Sequence, residues 1–175
     1  MDKVGIVGAG LIGRAWAMTF ARAGWTVALW DPVDGAAQKS LDDCRTGLAS
    51  LAEHGLCTEP DAAHALIGVA PTLEAAVEGA THVQENGPER LDIKIETFAA
   101  LDRAAAPDTV LASSTSAIQC SLFTENLAGR HRMLVAHPVN PPHLVPVVEL
   151  SGAPWTSDET VAPARRAVEA IGQAP

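Results

Sequence analysis

Positive charge is scarce in this chain. Twelve Lys and Arg stand against 21 Asp and Glu, a formal net charge of −9 over 175 residues. A surface that acidic argues against nucleic acid or an anionic membrane as the main partner. It leaves phosphate binding open, because backbone amides at a helix start hold phosphates without a basic patch. Cysteine is sparse too: Cys44, Cys57 and Cys120 are an odd number with no CxxC spacing. Neither a disulfide framework nor a zinc site is expected, and a reducing cytoplasm is the expected compartment. No apolar run approaches the ~20 residues of a membrane span. The start, Met1-Asp2-Lys3 before an apolar stretch, has the outline of a secretion signal. Four glycines between Val4 and Gly13, followed by Arg14, argue against that reading. Tyrosine is missing altogether, and of the four tryptophans Trp16 and Trp30 are expected to be packing residues.

What is present is an alternation of two periods. The length suits one domain, 1–175, and is short for two. Val4 to Val7 is a short apolar run ended by glycine, which reads as a buried parallel strand. Ile12, Trp16, Thr19, Phe20 and Ala23 then fall on one helical face, with Gly24 as the stop. Thr26 to Trp30 reads as a second strand, followed by helical stretches near 33–54 and 61–66. Strands are expected at 81–85, 110–113, 133–137 and 147–150. Helices are expected from Pro88 to about Ala105, with proline as the first residue, and from about Asp158 to Ile171, where Pro163 offers a later start. Strands alternating with helices imply βαβ units and a doubly wound, mostly parallel α/β sheet. The chain stops after a helix, in the pattern's place for a further strand.

Gly8-Ala9-Gly10-Leu11-Ile12-Gly13 lies between the first strand and the first helix. The first glycine permits the turn, the second removes a side chain where pyrophosphate must approach, and the third lets helix and strand pack closely. Asp31 ends the next strand about 20 residues on, where a carboxylate accepts ribose hydroxyls and repels a 2′-phosphate. That pattern predicts NAD rather than NADP, the alternative for Asp31 being a turn residue before Pro32. His137 closes a strand, Glu149 lies in the following strand and Ser116 follows the strand ending near Ser113. A histidine oriented by a carboxylate suits removal of an alcohol proton at neutral pH. Spacing alone favours a plainer reading, with a core histidine, a strand glutamate paired with an arginine and a helix-capping serine.

The segments Ser113-Ser114-Thr115-Ser116, His137-Pro138-Val139-Asn140-Pro141-Pro142 and Val145-Pro146-Val147-Val148-Glu149-Leu150 resemble the 3-hydroxyacyl-CoA dehydrogenase superfamily. Within it they are most similar to the lambda-crystallin and L-gulonate 3-dehydrogenase group, as are Gly13 to Met18, Ala76 to Ala80 and Val83-Gln84-Glu85. The resemblance runs from Val4 to the C-terminus. It implies His137 as base, Glu149 as its orienting carboxylate, and Ser116 near the substrate oxygen and the nicotinamide. It also implies Glu89, Lys94 and Asn140 around the nicotinamide half of the cofactor. The plain alternatives are a first-turn acid for Glu89, a solvated helix face for Lys94 and a turn residue for Asn140. The implied reaction is NAD-dependent oxidation of the 3-hydroxyl of an L-gulonate-like hydroxy acid, with 3-hydroxyacyl-CoA or L-carnitine as alternative substrates. A non-catalytic, crystallin-like NAD-binding protein is the rival from another class. The family's second, helical domain, which completes the cleft and forms a homodimer, is expected to be missing, so weak activity is expected of this chain alone. Gln119-Cys120 and Asn86-Gly87 depart from the group's usual residues, and His143, in the loop between base and orienter, is the one other histidine with a possible substrate contact.

Overall fold

Strand β1 (Lys3–Val7) is an inner strand, hydrogen-bonded along both edges: Val4, Ile6 and Val7 are buried, as the apolar run requires of a strand covered on both faces. The computed structural model describes residues 2–175. After β1 come α1 (Leu11–Arg22), β2 (Thr26–Trp30), α2 (Ala36–Glu53), α3 (Pro60–Ala65), β3 (Ile67–Val69), α4 (Leu73–Val77), β4 (His82–Glu85) and α5 (Leu91–Ala104). The second half adds β5 (Val110–Ser113), α6 (Cys120–Thr124), β6 (Met133–Pro138), β7 (Val148–Gly152) and α7 (Asp158–Ala170). The seven strands form one sheet in the order β3-β2-β1-β4-β5-β6-β7, parallel except for β7, which pairs antiparallel with β6. Helices cover both faces. Trp16, Phe20, Leu48 and Val168 belong to one core, and Phe98, Leu101 and Phe123 to the other. The strand order changes sense between β1 and β4, with β2 and β3 added on one side and β4 to β7 on the other, and that crevice is where open α/β sheets bind ligands. No helix among the described residues is long and apolar enough to cross a membrane.

The helix α1 ends as its pattern predicts, with Gly24 at a positive φ of 87° just beyond the cap. Ala23, placed on the buried face by periodicity, is that cap and is exposed, because the helix has already stopped. Other expectations are corrected. The helix expected from Pro88 begins at Leu91, since Arg90 is extended (φ −134°, ψ 127°) and its amide turns back to the Pro88 carbonyl. Glu89 is therefore not a first-turn acid. The helix α7 starts at Asp158 behind Ser157, with Asp158 and Glu159 favouring its dipole, so Pro163 lies inside it. The short strand β3 and helix α4 carry too few residues for either period to register, and they escape the sequence pattern.

Candidate functional site

The glycine turn is built by close approach. A Cβ on Gly13 would lie 1.8 Å from the Gly8 carbonyl oxygen, and one on Gly8 would press on the Asn86 backbone at 2.8 Å. Gly10 differs: a Cβ there would meet nothing within 4 Å, so its missing side chain leaves open space in front of the turn. The α1 helix starts at Leu11 with no acidic side chain in its first turn, and its leading amides have no intrahelical acceptors. Open space above free amides at a helix's positive end is a cradle for a phosphate group.

Asp31 closes this turn from β2. Its Oδ2 accepts from the Ala9 amide at 2.7 Å, and its Oδ1 accepts from Val33 at 2.9 Å. The turn role is thus observed, and the same carboxylate borders a cavity of about 360 Å³ with Gly10, Leu11 and Lys39. A second cavity, about 150 Å³, is lined by Ile12, Asn86, Glu89, Lys94, Ser114, Ser116 and Asn140. A third, about 430 Å³, has Ser116, Gln119, His137 and Glu149 in its wall. Ser116 borders both of the last two, and all three cavities lie at the carboxyl edge of the sheet. The dinucleotide-fingerprint residues and the proposed catalytic residues therefore share one edge.

His137 Nδ1 donates to Glu149 Oε2 at 3.0 Å, across the β6–β7 pairing that sets these two residues opposite each other. Neither bland alternative holds: the histidine is not in the core, and the glutamate pairs with no arginine. Ser116 caps no helix, because α6 begins four residues later behind Gln119. Its amide instead donates to Glu89 Oε1, as do the Ala117 amide and the Thr115 hydroxyl. Burial works to raise the Glu89 pKa, but those three hydrogen bonds and the charge of Lys94 prevail and hold it below the usual carboxylate value. Glu89 thus fixes the serine-bearing turn. Burial, then Arg22 and Arg14, lower the pKa of His143, which borders a further cavity with Met18 and with Ile12 and Asn140 of the second one.

Lys94 sits on no solvated face. It is 1% exposed and donates to both oxygens of Glu85, at 2.8 and 2.7 Å, and to the Gly87 carbonyl at 3.3 Å. Glu85 also accepts from the Gly87 amide and the Ser113 hydroxyl. Sequence reasoning named Glu85, Asn86 and Ser114 only within longer segments and gave none of them a place in the site. The signal was available in period two: β4 turns Val83 and Glu85 toward α5, and His82 and Gln84 toward α1.

A doubly wound sheet, a glycine turn at its switch point and an acid after the second strand define a dinucleotide-binding Rossmann domain. Residues 3–175 match the model of the 3-hydroxyacyl-CoA dehydrogenase NAD-binding domain, and the chain belongs to that family of oxidoreductases, whose cofactor is NAD. It is 41% identical over 173 residues to a lambda-crystallin homolog of Mus musculus, covering 97% of this chain and 54% of the relative. It is 36% identical to an L-carnitine dehydrogenase of Pseudomonas putida, covering 97% and 52% respectively. The crystal structure of 3-hydroxybutyryl-CoA dehydrogenase from Escherichia coli K12 superposes with a TM-score of 0.93 at 25% identity, over 99% of this chain and 37% of that one. The chain spans about half the length of the curated relatives it matches. The open space at Gly10, the free amides of α1 and the carboxylate of Asp31 fit the pyrophosphate and ribose of NAD.

Proposed function

We propose that this domain carries the cofactor and the acid–base pair of an NAD-dependent dehydrogenase for the 3-hydroxyl of a small hydroxy acid. The observation that carries the reading is the 3.0 Å bond between His137 and Glu149, in the wall of a cavity that shares Ser116 with the neighbouring cavity of Asn86, Glu89 and Asn140. Gly8, Gly10, Leu11, Ile12 and Gly13 would hold the pyrophosphate, and Asp31 the adenosine ribose. Glu89 and Asn140 would line the nicotinamide end, with Lys94 beneath them. Bound NAD supplies the hydride acceptor.

The Glu149 carboxylate has no proton to give, so His137 donates from Nδ1 and keeps the Nε2 lone pair for the cleft. His137 takes the substrate's hydroxyl proton at Nε2 as the carbon–hydrogen bond breaks. Glu149 then opposes the charge of the imidazolium. Ser116 sits where a hydroxyl can hold the substrate oxygen. The wall around His137 also presents Gln119, Ser121 and Ser151, polar groups that suit an L-gulonate-like hydroxy acid better than a long acyl chain. L-carnitine and a 3-hydroxyacyl-CoA are the competing substrates. Glu149 is 75% exposed, so the residues around it do not seal the pair from water, and slow turnover is the expectation.

NADH formation with the three substrates tests the reading. His137→Ala is expected to lose about 10²–10⁴ in rate with NAD affinity unchanged. Wild-type rates from that variant would refute the base assignment. Loss of NAD binding in the same variant would show that the histidine serves the cofactor instead.

A further inference from the structure

Behind the cofactor cavity lies a chain of polar side chains in which every proton direction is forced. Trp16 Nε1 donates to Ser114 Oγ at 3.0 Å, and Gln84 Nε2 donates to the same oxygen at 2.7 Å. With both lone pairs of Ser114 used, its hydroxyl donates to Asn86 Oδ1 at 2.7 Å. The Asn86 amide is then oriented, and its Nδ2 donates to the carbonyls of Gln84 at 2.8 Å and Val7 at 3.4 Å. Gln84 Nε2 gives its other proton to the Ala136 carbonyl at 3.1 Å, next to His137 in β6. Its Oε1 can only accept, so the buried His82 donates from Nε2 at 3.1 Å and leaves Nδ1 bare. Burial outweighs the Gln84 bond and pushes the His82 pKa down to about 4, in keeping with a neutral ring. The network ties together the ends of β1, β4 and β5, the middle of α1 and the strand of the base.

We infer that Gln84 and Ser114 are positioning residues, which fix the Asn86 side chain in the nicotinamide-side cavity and hold the glycine turn in register with the strand carrying His137. This rests on reading that cavity as the nicotinamide end of the NAD site. The geometry goes beyond generic stability. Ser114 and Asn86 line the cavity, Asn86 backs both Gly8 and Gly13, and Gln84 lines no part of it. A substitution at Gln84 therefore reaches the cofactor only through Ser114 and Asn86. Small departures are costly here, because a hydroxyl with three partners has no spare lone pair with which to adapt.

The test uses Gln84→Met, which keeps the volume and removes every hydrogen bond of the side chain. NAD affinity is expected to fall about tenfold, the loss of roughly one well-made hydrogen bond. Heat stability would show the variant to be folded. The indole N–H resonance of Trp16 should shift, and the ¹⁵N signals of His82 should change from a single Nε2–H form to a tautomer mixture. A folded Gln84→Met that binds NAD within twofold of wild type would overturn the inference, as would a wild-type His82 not in the Nε2–H form. If Gln84→Met does not fold, Ser114→Thr and Ser114→Ala decide. Near-normal affinity with threonine and a tenfold loss with alanine support the inference, and equal affinity in the two overturns it. His137→Ala leaves all these signals unchanged, so failure of the base assignment is distinguishable from failure of the network.

Discussion

Two carboxylates, each bonded to a basic side chain, flank the same cleft, and the two pairs are built in opposite ways. Lys94 and Glu85 are 1% and 0% exposed, and every oxygen of the carboxylate is taken by Lys94, Ser113 or Gly87. His137 and Glu149 are 25% and 75% exposed and share a single bond. The sealed pair is hydrogen-bonded on every side and holds Gly87 by both its amide and its carbonyl, so it pins the Asn86-Gly87-Pro88 loop beneath the cavity. The open pair has water and cleft on one side, so the histidine can gain and lose a proton while its partner stays solvated. Burial thus separates the two roles where residue type alone does not.

The sharpest way to break this comparison is to remove half of the sealed pair. Lys94→Met is expected to cost about 3–5 kcal/mol of stability in denaturant unfolding, because Glu85 is left buried and uncompensated. The double variant Glu85→Gln with Lys94→Met should cost less than Lys94→Met alone. A single variant within 1 kcal/mol of wild type would show that water reaches the pair.

Acid offers a second handle. His82 in the folded protein titrates near 4, below its ordinary 6.5, because burial disfavours the charged ring. Between those values the unfolded chain binds the extra proton, so stability is full above about pH 6.5 and declines as pH falls toward 4. The decline is about 3 kcal/mol from this group. His82→Gln should flatten that part of the profile in thermal unfolding across the range, and an unchanged slope would reassign the acid sensitivity.

At the glycine end, Asp31→Ala is expected to weaken NAD binding by about 1–3 kcal/mol by calorimetry, since it removes the acceptor for Ala9 as well as the proposed ribose partner. Tighter binding of NADP than NAD by the wild type would sink the assignment. The smallest effect belongs to the open pair. Glu149→Gln should change stability by at most about 1 kcal/mol, as expected of an exposed pair, while still slowing turnover. A large stability loss would mean that Glu149 is structural, as Glu85 is.

Much of this was legible in the residues. The fingerprint Gly8 to Gly13, its strand and its helix follow from local rules, since a missing Cβ and a change of period both show in the string. His137, Glu149 and Ser116 came from resemblance to a family, and the structure brings them to one cleft edge through the β6–β7 register. For Lys94 only the solvated-face alternative fails, because the partner that buries it, Glu85, stands on a different element. Glu89 was placed in the first turn of a helix that starts later, because Pro88 marks a helix start statistically but here the Glu85 carboxylate holds the loop.

The sequence by itself therefore determined the doubly wound α/β class, the dinucleotide turn and the kind of cofactor, all written in spacings of a few residues that local sterics enforce. Only the tertiary structure decided which charges are sealed and which are open, and which way the protons of the Trp16–Ser114–Asn86 network point. Those depend on side chains from α1, β4, β5 and β6 meeting in three dimensions. Burial and hydrogen-bond saturation are properties of that meeting, and no single segment carries them.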